Sequence, residues 1–131
     1  MDENQVAGKK MIVICDDNAA LAMLMKHLLQ KKGFSVQTAG DGDEGLNLLR
    51  TTSPDILLLD LAMPGTDGLT VLVAIQGFAG KRPYTIVITG QKGTAGRERA
   101  AALGADEVWD KPFNTAELMG RIDGLIAQGK I

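Results

Sequence analysis

ILLLDLAMPGTDGL, Ile56 to Leu69, is the stretch on which the reading of this chain turns. Four apolar residues run into a carboxylate, Asp60, and Met63-Pro64-Gly65 then bends the chain away. An unbroken apolar run of this length reads as a strand covered on both faces, and Pro-Gly prevents it from continuing. A carboxylate at the rim of such a core is solvated, paired, bound to a metal or used chemically.

The pattern around it repeats along the chain. MIVIC (Met11–Cys15) is a first strand, and NAALAMLMKHLLQKKG follows with Leu21, Leu24, Met25, Leu28 and Leu29 at the spacing of one helical face. Asn18 is placed to cap that helix and Gly33 to stop it. FSVQTA (Phe34–Ala39) reads as a second strand, and DGDEGLNLLRTTSP as a helix with acidic residues in its first turn, where the helix dipole favours them. DILLLD is the third strand and DGLTVLVAIQGFAG a third helix, rich in β-branched residues. PYTIVIT (Pro83–Thr89), TAGRERAAALG, DEVWD and NTAELMGRIDGLIAQ complete the series as strand, helix, strand and helix. Five strands each followed by a helix, with connections too long for hairpins, predict one α/β domain with a parallel sheet. The expected boundaries are a lead at 1–9, a domain at 10–128 and a tail at 129–131.

Composition narrows the function. The chain has 131 residues, enough for one domain, and 45% of them are hydrophobic. A net charge of −2 lacks the basic excess of a nucleic-acid binder. The single cysteine, Cys15, has no internal disulfide partner and reads as a buried thiol. The polar start MDENQVAGKK is not a signal peptide, and no apolar run reaches the ~20 residues of a membrane helix. The expected location is cytoplasmic. His27 sits beside the apolar face of the first helix and reads as a boundary residue.

In a parallel sheet of this type, ligands sit beyond the carboxyl ends of the strands. Those ends carry Asp16-Asp17, Asp60, Thr89 and Asp110-Lys111-Pro112. Three carboxylates in one crevice repel one another, and one tends to take up a proton. A hard divalent cation relieves this; magnesium takes oxygen ligands and commonly uses one or two carboxylates beside phosphate oxygens. An aspartate beside such an ion and a lysine can act as nucleophile toward a phosphoryl group, and Thr89 offers a hydroxyl to a phosphoryl oxygen. Taken singly the residues have plainer readings: Asp16-Asp17 as a helix-capping pair, Lys111-Pro112 as a surface turn, Thr89 as an ordinary strand end. Their joint placement favours the chemical reading.

Asp16-Asp17, Asp60 in DLAMPGTDG, Thr89 in VITG and Lys111-Pro112-Phe113, in that order from about Lys10 to Gln128, resemble the receiver domain of two-component response regulators. The resemblance implies a flavodoxin-like fold with a five-stranded parallel sheet in the order 2-1-3-4-5 and five helices on both faces. It implies that a histidine kinase or phosphotransfer protein phosphorylates Asp60. Asp17, Asp60 and the backbone carbonyl of Ala62 would bind Mg2+ directly, and Asp16 mainly through water. Lys111 would pair with Asp60 or its phosphate, and Thr89 would move toward the phosphoryl oxygen and shift the surface formed by the fourth helix, fifth strand and fifth helix. The domain would assist its own phosphorylation and autodephosphorylation without being an enzyme in the usual sense. It would be a monomer or weak dimer that docks to a downstream effector protein, with no output segment after the last helix.

Two departures stand out. The switch position three before the lysine, often aromatic in the family, is Val108, and the chain's one tryptophan, Trp109, is its neighbour. The positions two after Asp60 and two after Thr89, which flank the phosphate, are Ala62 and Gln91. Other classes fit less well. A phosphatase using an aspartyl intermediate resembles D-x-D after the first strand, and here the two aspartates are adjacent. A flavin site wants a Ser/Thr/Gly-rich loop where this chain has DDNAAL. A receiver-like scaffold that takes no phosphate is the remaining alternative.

Overall fold

The computed structural model describes residues 9–63, 65–90 and 95–131. Strands β1 (Met11–Cys15), β2 (Ser35–Ala39), β3 (Ile56–Asp60), β4 (Tyr84–Thr89) and β5 (Glu107–Asp110) alternate with helices α1 (Ala19–Lys31), α2 (Gly42–Thr52), α3 (Gly68–Gln76), α4 (Ala95–Ala102) and α5 (Thr115–Ala127). All strand pairs are parallel, in the order β2-β1-β3-β4-β5. The five-stranded flavodoxin-like sheet expected from the sequence is the one observed.

Alternation along the central strands divides the interior into two cores. Ile12, Ile14, Ile56, Leu58, Ile86 and Ile88 face α1 and α5, where Met25, Leu29, Leu118 and Ile122 meet them. Val13, Cys15, Leu57, Leu59 and Val87 face the other way, against Leu49 of α2, Val71, Leu72 and Ile75 of α3, and Ala100 of α4. Right-handed crossovers impose this division: the winding reverses between β2 and β3, so α1 and α5 share one face and α2 to α4 the other. The reversal opens a crevice between the ends of β1 and β3.

Helix starts cluster at that same edge. Asn18, Asp41, Asp67 and Asn114 each accept a hydrogen bond from the backbone N–H three residues on, at Leu21, Glu44, Thr70 and Glu117. Asn18 thus caps α1 as expected, and the capping reading of Asp16-Asp17 falls away. Gly33, at φ 99°, closes α1. The β-branched α3 is helical after all, held by its cap and by packing on one face.

Most element ends differ from expectation by a residue or two, for local reasons, and α3 stops at Gln76, four residues short of the expected Gly80, capped by Gly77. Phe34 N–H bonds back to Leu29 O, so Phe34 finishes the α1 turn, and β2 starts at Ser35. Pro83 has no N–H to give a ladder, and β4 starts at Tyr84. Asp106 engages Thr85 through its carboxylate as well as its backbone, ahead of β5 proper. The first residues of the expected lead and the start of the fourth helix at Thr94 lie outside the described residues. In the expected tail, Ile131 packs against the core on the α1 and α5 side of the sheet.

Candidate functional site

Register brings the strand ends level. Cys15 stands opposite Leu59, which places Asp16 beside Asp60; Asp60 stands opposite Ile88, and Thr89 opposite Asp110. Lys111 follows directly and is tied to β4 by its N–H to Thr89 O, 2.8 Å. Asp16, Asp60 and Thr89 are 4, 5 and 1% exposed, whereas Asp17 lies in the open. Two of the three carboxylates are therefore held in the rim of the core, where charge is costly without a partner.

Lys111 supplies that partner. Its Nζ donates to Asp16 Oδ2 and to Asp60 Oδ2, both at 3.2 Å. The remaining oxygens are also used: Asp60 Oδ1 accepts the Ala62 N–H at 3.0 Å, and Asp16 Oδ1 accepts the Asn18 N–H at 2.9 Å. Burial pushes the Asp60 carboxyl above its ordinary 3.8, outweighing the hydrogen bonds from Ala62 and Lys111. Burial acts on Lys111 in the opposite sense, but its hydrogen bonds and attraction to Asp60 and Asp16 prevail and raise it above 10.5. The site thus holds a carboxylate with enhanced proton affinity next to a firmly charged ammonium.

The loop after β3 is shaped by glycines. Gly68 N–H bonds to Leu61 O at 3.2 Å, and a Cβ at Gly68 would lie 2.5 Å from Asp60 O, so α3 starts hard against the site. Gly65, at φ 71°, makes the turn that a side chain resists. Leu61 and Met63 are buried in the core under α3, which leaves Ala62 between them at the surface.

Asp16, Asp17 and Asp60 each present one oxygen, all within 4.8 Å of one another. Oxygens on an octahedral magnesium lie ~2.1 Å from the ion, so neighbouring ligands are about 3 Å apart and opposite ones about 4.2 Å. The spread here suits an ion that binds some carboxylates directly and another through water. An all-oxygen, carboxylate-rich donor set is also the chemistry a hard cation prefers.

The structure gathers five of the predicted residues, Asp16, Asp17, Asp60, Thr89 and Lys111, at one edge, with Ala62 beside them. Gln91 lies outside the described residues. Val108 and Trp109 face opposite cores: Val108 packs with Val87 on the α4 side, Trp109 with Ile88 on the α5 side. His27 is exposed on α1. Cys15 is buried, and desolvation, with nearby Glu44, Asp16 and Asp41 adding, pushes its thiol up to about 12. A cleft of about 310 Å3 lined by Leu49, Arg50, Phe78 and Pro83 lies at the far end of the sheet, away from this chemistry.

Sequence reasoning passed over Glu107. Its carboxylate accepts from Tyr84 Oη at 2.7 Å, Arg121 Nε at 2.7 Å and Trp109 Nε1 at 3.1 Å, joining β4, β5 and α5. The i,i+2 pair Glu107–Trp109 was the one local signal of it.

The family model of the response regulator receiver domain matches residues 12–123. Among curated relatives, the phosphate regulon transcriptional regulatory protein PhoB of Rhizobium meliloti is 34% identical over 124 residues, covering 91% of this chain and 53% of its own length. The transcriptional regulatory protein CpxR of Escherichia coli K12 is 37% identical over 115 residues, covering 88% and 48%. The chain spans about half the length of these relatives. A response regulator receiver domain protein (CheY-like) from Methanospirillum hungatei superposes with a TM-score of 0.84 at 26% identity, over 94% of this chain and 98% of that one. The receiver domain of Francisella response regulator 1452 gives 0.82 at 26%, over 92% and 99%.

Proposed function

This chain belongs to the response regulator receiver domain family of two-component signalling, and from that premise we propose that Asp60 is its phosphoacceptor. The observation that carries the reading is the arrangement of Lys111, whose ammonium bridges buried Asp60 to Asp16 at the edge of the sheet. A buried carboxylate beside a fixed cation is equipped to attack phosphorus and to hold the charge that results.

In the proposed reaction an Asp60 oxygen forms a bond to phosphorus as the phosphorus–nitrogen bond of a phosphohistidine breaks. A histidine kinase or phosphotransfer protein is the donor. Asp17, Asp60 and the Ala62 carbonyl, with Asp16 through water, would hold Mg2+, which would supply positive charge to the phosphoryl oxygens. Asp60 has both oxygens hydrogen-bonded at rest, to Ala62 N–H and to Lys111, and each keeps a second lone pair with which to react or to bind the metal. Lys111 then pairs with the phosphoryl group, and Thr89 donates its hydroxyl to a phosphoryl oxygen.

Movement of Thr89 would reach the α4–β5–α5 surface, the proposed docking site for a downstream protein. Val108, packed on the α4 side, can relay only a small displacement in place of the usual aromatic swing. The domain works as a switch that assists its own phosphorylation and autodephosphorylation rather than as an enzyme with free substrates. The mild negative charge supports protein rather than nucleic-acid contact for this domain. No helix among the described residues is long and apolar enough to cross a membrane; a cytoplasmic location and a monomer or weak dimer complete the proposal.

Intact mass after incubation with Mg2+ and acetyl phosphate tests it. The expected result is one phosphoryl adduct on the wild type, absent with a chelator and absent from Asp60→Asn. A folded wild type that takes no adduct overturns the proposal in favour of a scaffold, and phosphate release over many turnovers that survives Asp60→Asn does so in favour of a hydrolase.

A further inference from the structure

We infer that the first turn of α2 is a bracket that positions the β3–α3 loop for metal binding, with Asp43 and Thr66 as its positioning residues. The inference rests on the functional reading above, in which the carbonyl of Ala62 in that loop binds Mg2+.

One hydrogen bond and two close approaches make the bracket. Thr66 Oγ1 donates to Asp43 Oδ1 at 2.5 Å, between residues 23 apart in sequence. Gly42 lies so close to the loop that a Cβ there would sit 1.7 Å from Thr66 O and 2.6 Å from Thr66 C. On the other side of the same carboxylate, a Cβ at Gly65 would sit 3.5 Å from Asp43 Oδ2. Among the described residues no hydrogen bond or ion pair joins Gly42, Asp43, Gly65 or Thr66 to the three site carboxylates, so their route to the site is the loop.

The bracket stands on a fixed base. Asp41 caps α2 by accepting the Glu44 N–H at 2.8 Å, and Glu44 Oε2 reaches back to Gly40 N–H at 3.4 Å. Leu49 buries the helix in the core, and Gly45 lets it settle on Cys15. Leu61 and Met63 anchor the first half of the loop from below. The turn at Gly65 and Thr66 has its hold from α2. A ligand carbonyl is useful only within a few tenths of an ångström of its place, so a loop free to swing at Thr66 binds the ion less well.

Gly42→Ala separates this account from local helix stability. Alanine is the better helix former, by about 1 kcal/mol in a helix interior, so propensity alone predicts an unchanged or firmer α2. The bracket predicts displacement of the loop. Thr66→Val removes the hydroxyl at nearly constant volume, and Thr66→Ser restores it.

Each variant is titrated with Mg2+ by calorimetry, and amide hydrogen exchange of residues 61–68 is followed in metal-free protein. Thr66→Val is expected to weaken Mg2+ binding about 3- to 10-fold and to speed loop exchange by a similar factor, the scale of one ordinary net hydrogen bond, and Gly42→Ala, through its clash with Thr66 O, at least as far. Thr66→Ser is expected within about twofold of wild type. Wild-type affinity and exchange in Thr66→Val, with Mg2+ binding intact in the wild type, overturn the inference alone. A folded wild type that binds no Mg2+ overturns the functional reading and this inference with it.

Discussion

Replacing Asp60 by asparagine should make the metal-free protein more stable. The three carboxylates present oxygens within 4.8 Å of one another, while Lys111 stands 3.2 Å from Asp16 and Asp60. At an effective dielectric of about 20, each repulsion felt by Asp60 at that separation is worth about 3 kcal/mol and the attraction to Lys111 about 5 kcal/mol. Asp17 is exposed, so its share is screened, but desolvation of Asp60 adds in the same direction. These Coulomb contributions alone leave the charge slightly favoured, and burial, the largest influence on this group, reverses the balance, so that the charge on Asp60 costs on the order of 1–2 kcal/mol net. For 131 residues this corresponds to a rise in melting temperature of about 4–8 °C. The raised pKa of Asp60 fixes the pH dependence. Below 3.8 the wild-type group is protonated in both folded and unfolded chains, and the variant has no advantage; the advantage grows as pH rises through the folded-state value. Under the proposed function magnesium acts oppositely, since a ligand of the folded state at ten times its Kd would add about 1.4 kcal/mol to the wild type. Calorimetric melts in chelator and in Mg2+, at neutral and acidic pH, read all three effects. A variant that melts at or below the wild type in chelator at neutral pH refutes the reasoning.

Three further outcomes are expected. Burial raises the Glu107 carboxyl, but donors Tyr84, Trp109 and Arg121 outweigh it and hold the group below 4.5; the stability advantage over Glu107→Gln should be full above 4.5 and vanish as pH falls through the lowered value, seen in urea melts across that range. Cys15, with its thiol at about 12, should resist iodoacetamide at neutral pH until denaturant is added, and rapid labelling of the native protein would count against its burial. A Cβ at Gly45 would fall 2.7 Å from Cys15 Sγ, so Gly45→Ala should cost about 1–3 kcal/mol and Cys15→Ala in the same chain should recover most of it; equal losses in both backgrounds would exclude the contact.

The sheet was legible because its central strands carry continuous apolar runs that only a doubly covered strand tolerates, as in Ile56–Leu59. The candidate site was legible for a related reason. A charged residue at the end of such a run has one place to go, and parallel topology puts all such ends together. Less could be read where pairing depends on tertiary register. Glu107 meets Arg121 and Tyr84 across 14 and 23 residues, and Thr66 meets Asp43 across 23, spacings that mirror no local period. The use of Gly42 and Gly45, close approach to Thr66 and to Cys15, exists only once α2 is docked. Trp109 was visible as a neighbour of the switch position, but which core it enters follows from the pleat of β5.

The sheet order also sets a sequence of assembly. Once β3 has paired with β1, each later strand adds to the same growing edge, and during synthesis the N-terminal units leave the ribosome first. Asp16 and Asp60 meet at that early pairing, whereas Lys111 follows Asp60 by 51 residues. A sheet of β2, β1 and β3 alone would hold two carboxylates without the ammonium that bridges them. Their repulsion would work against such a partial structure and be relieved when β5 docks, so the charge layout would favour completion of the sheet over its parts.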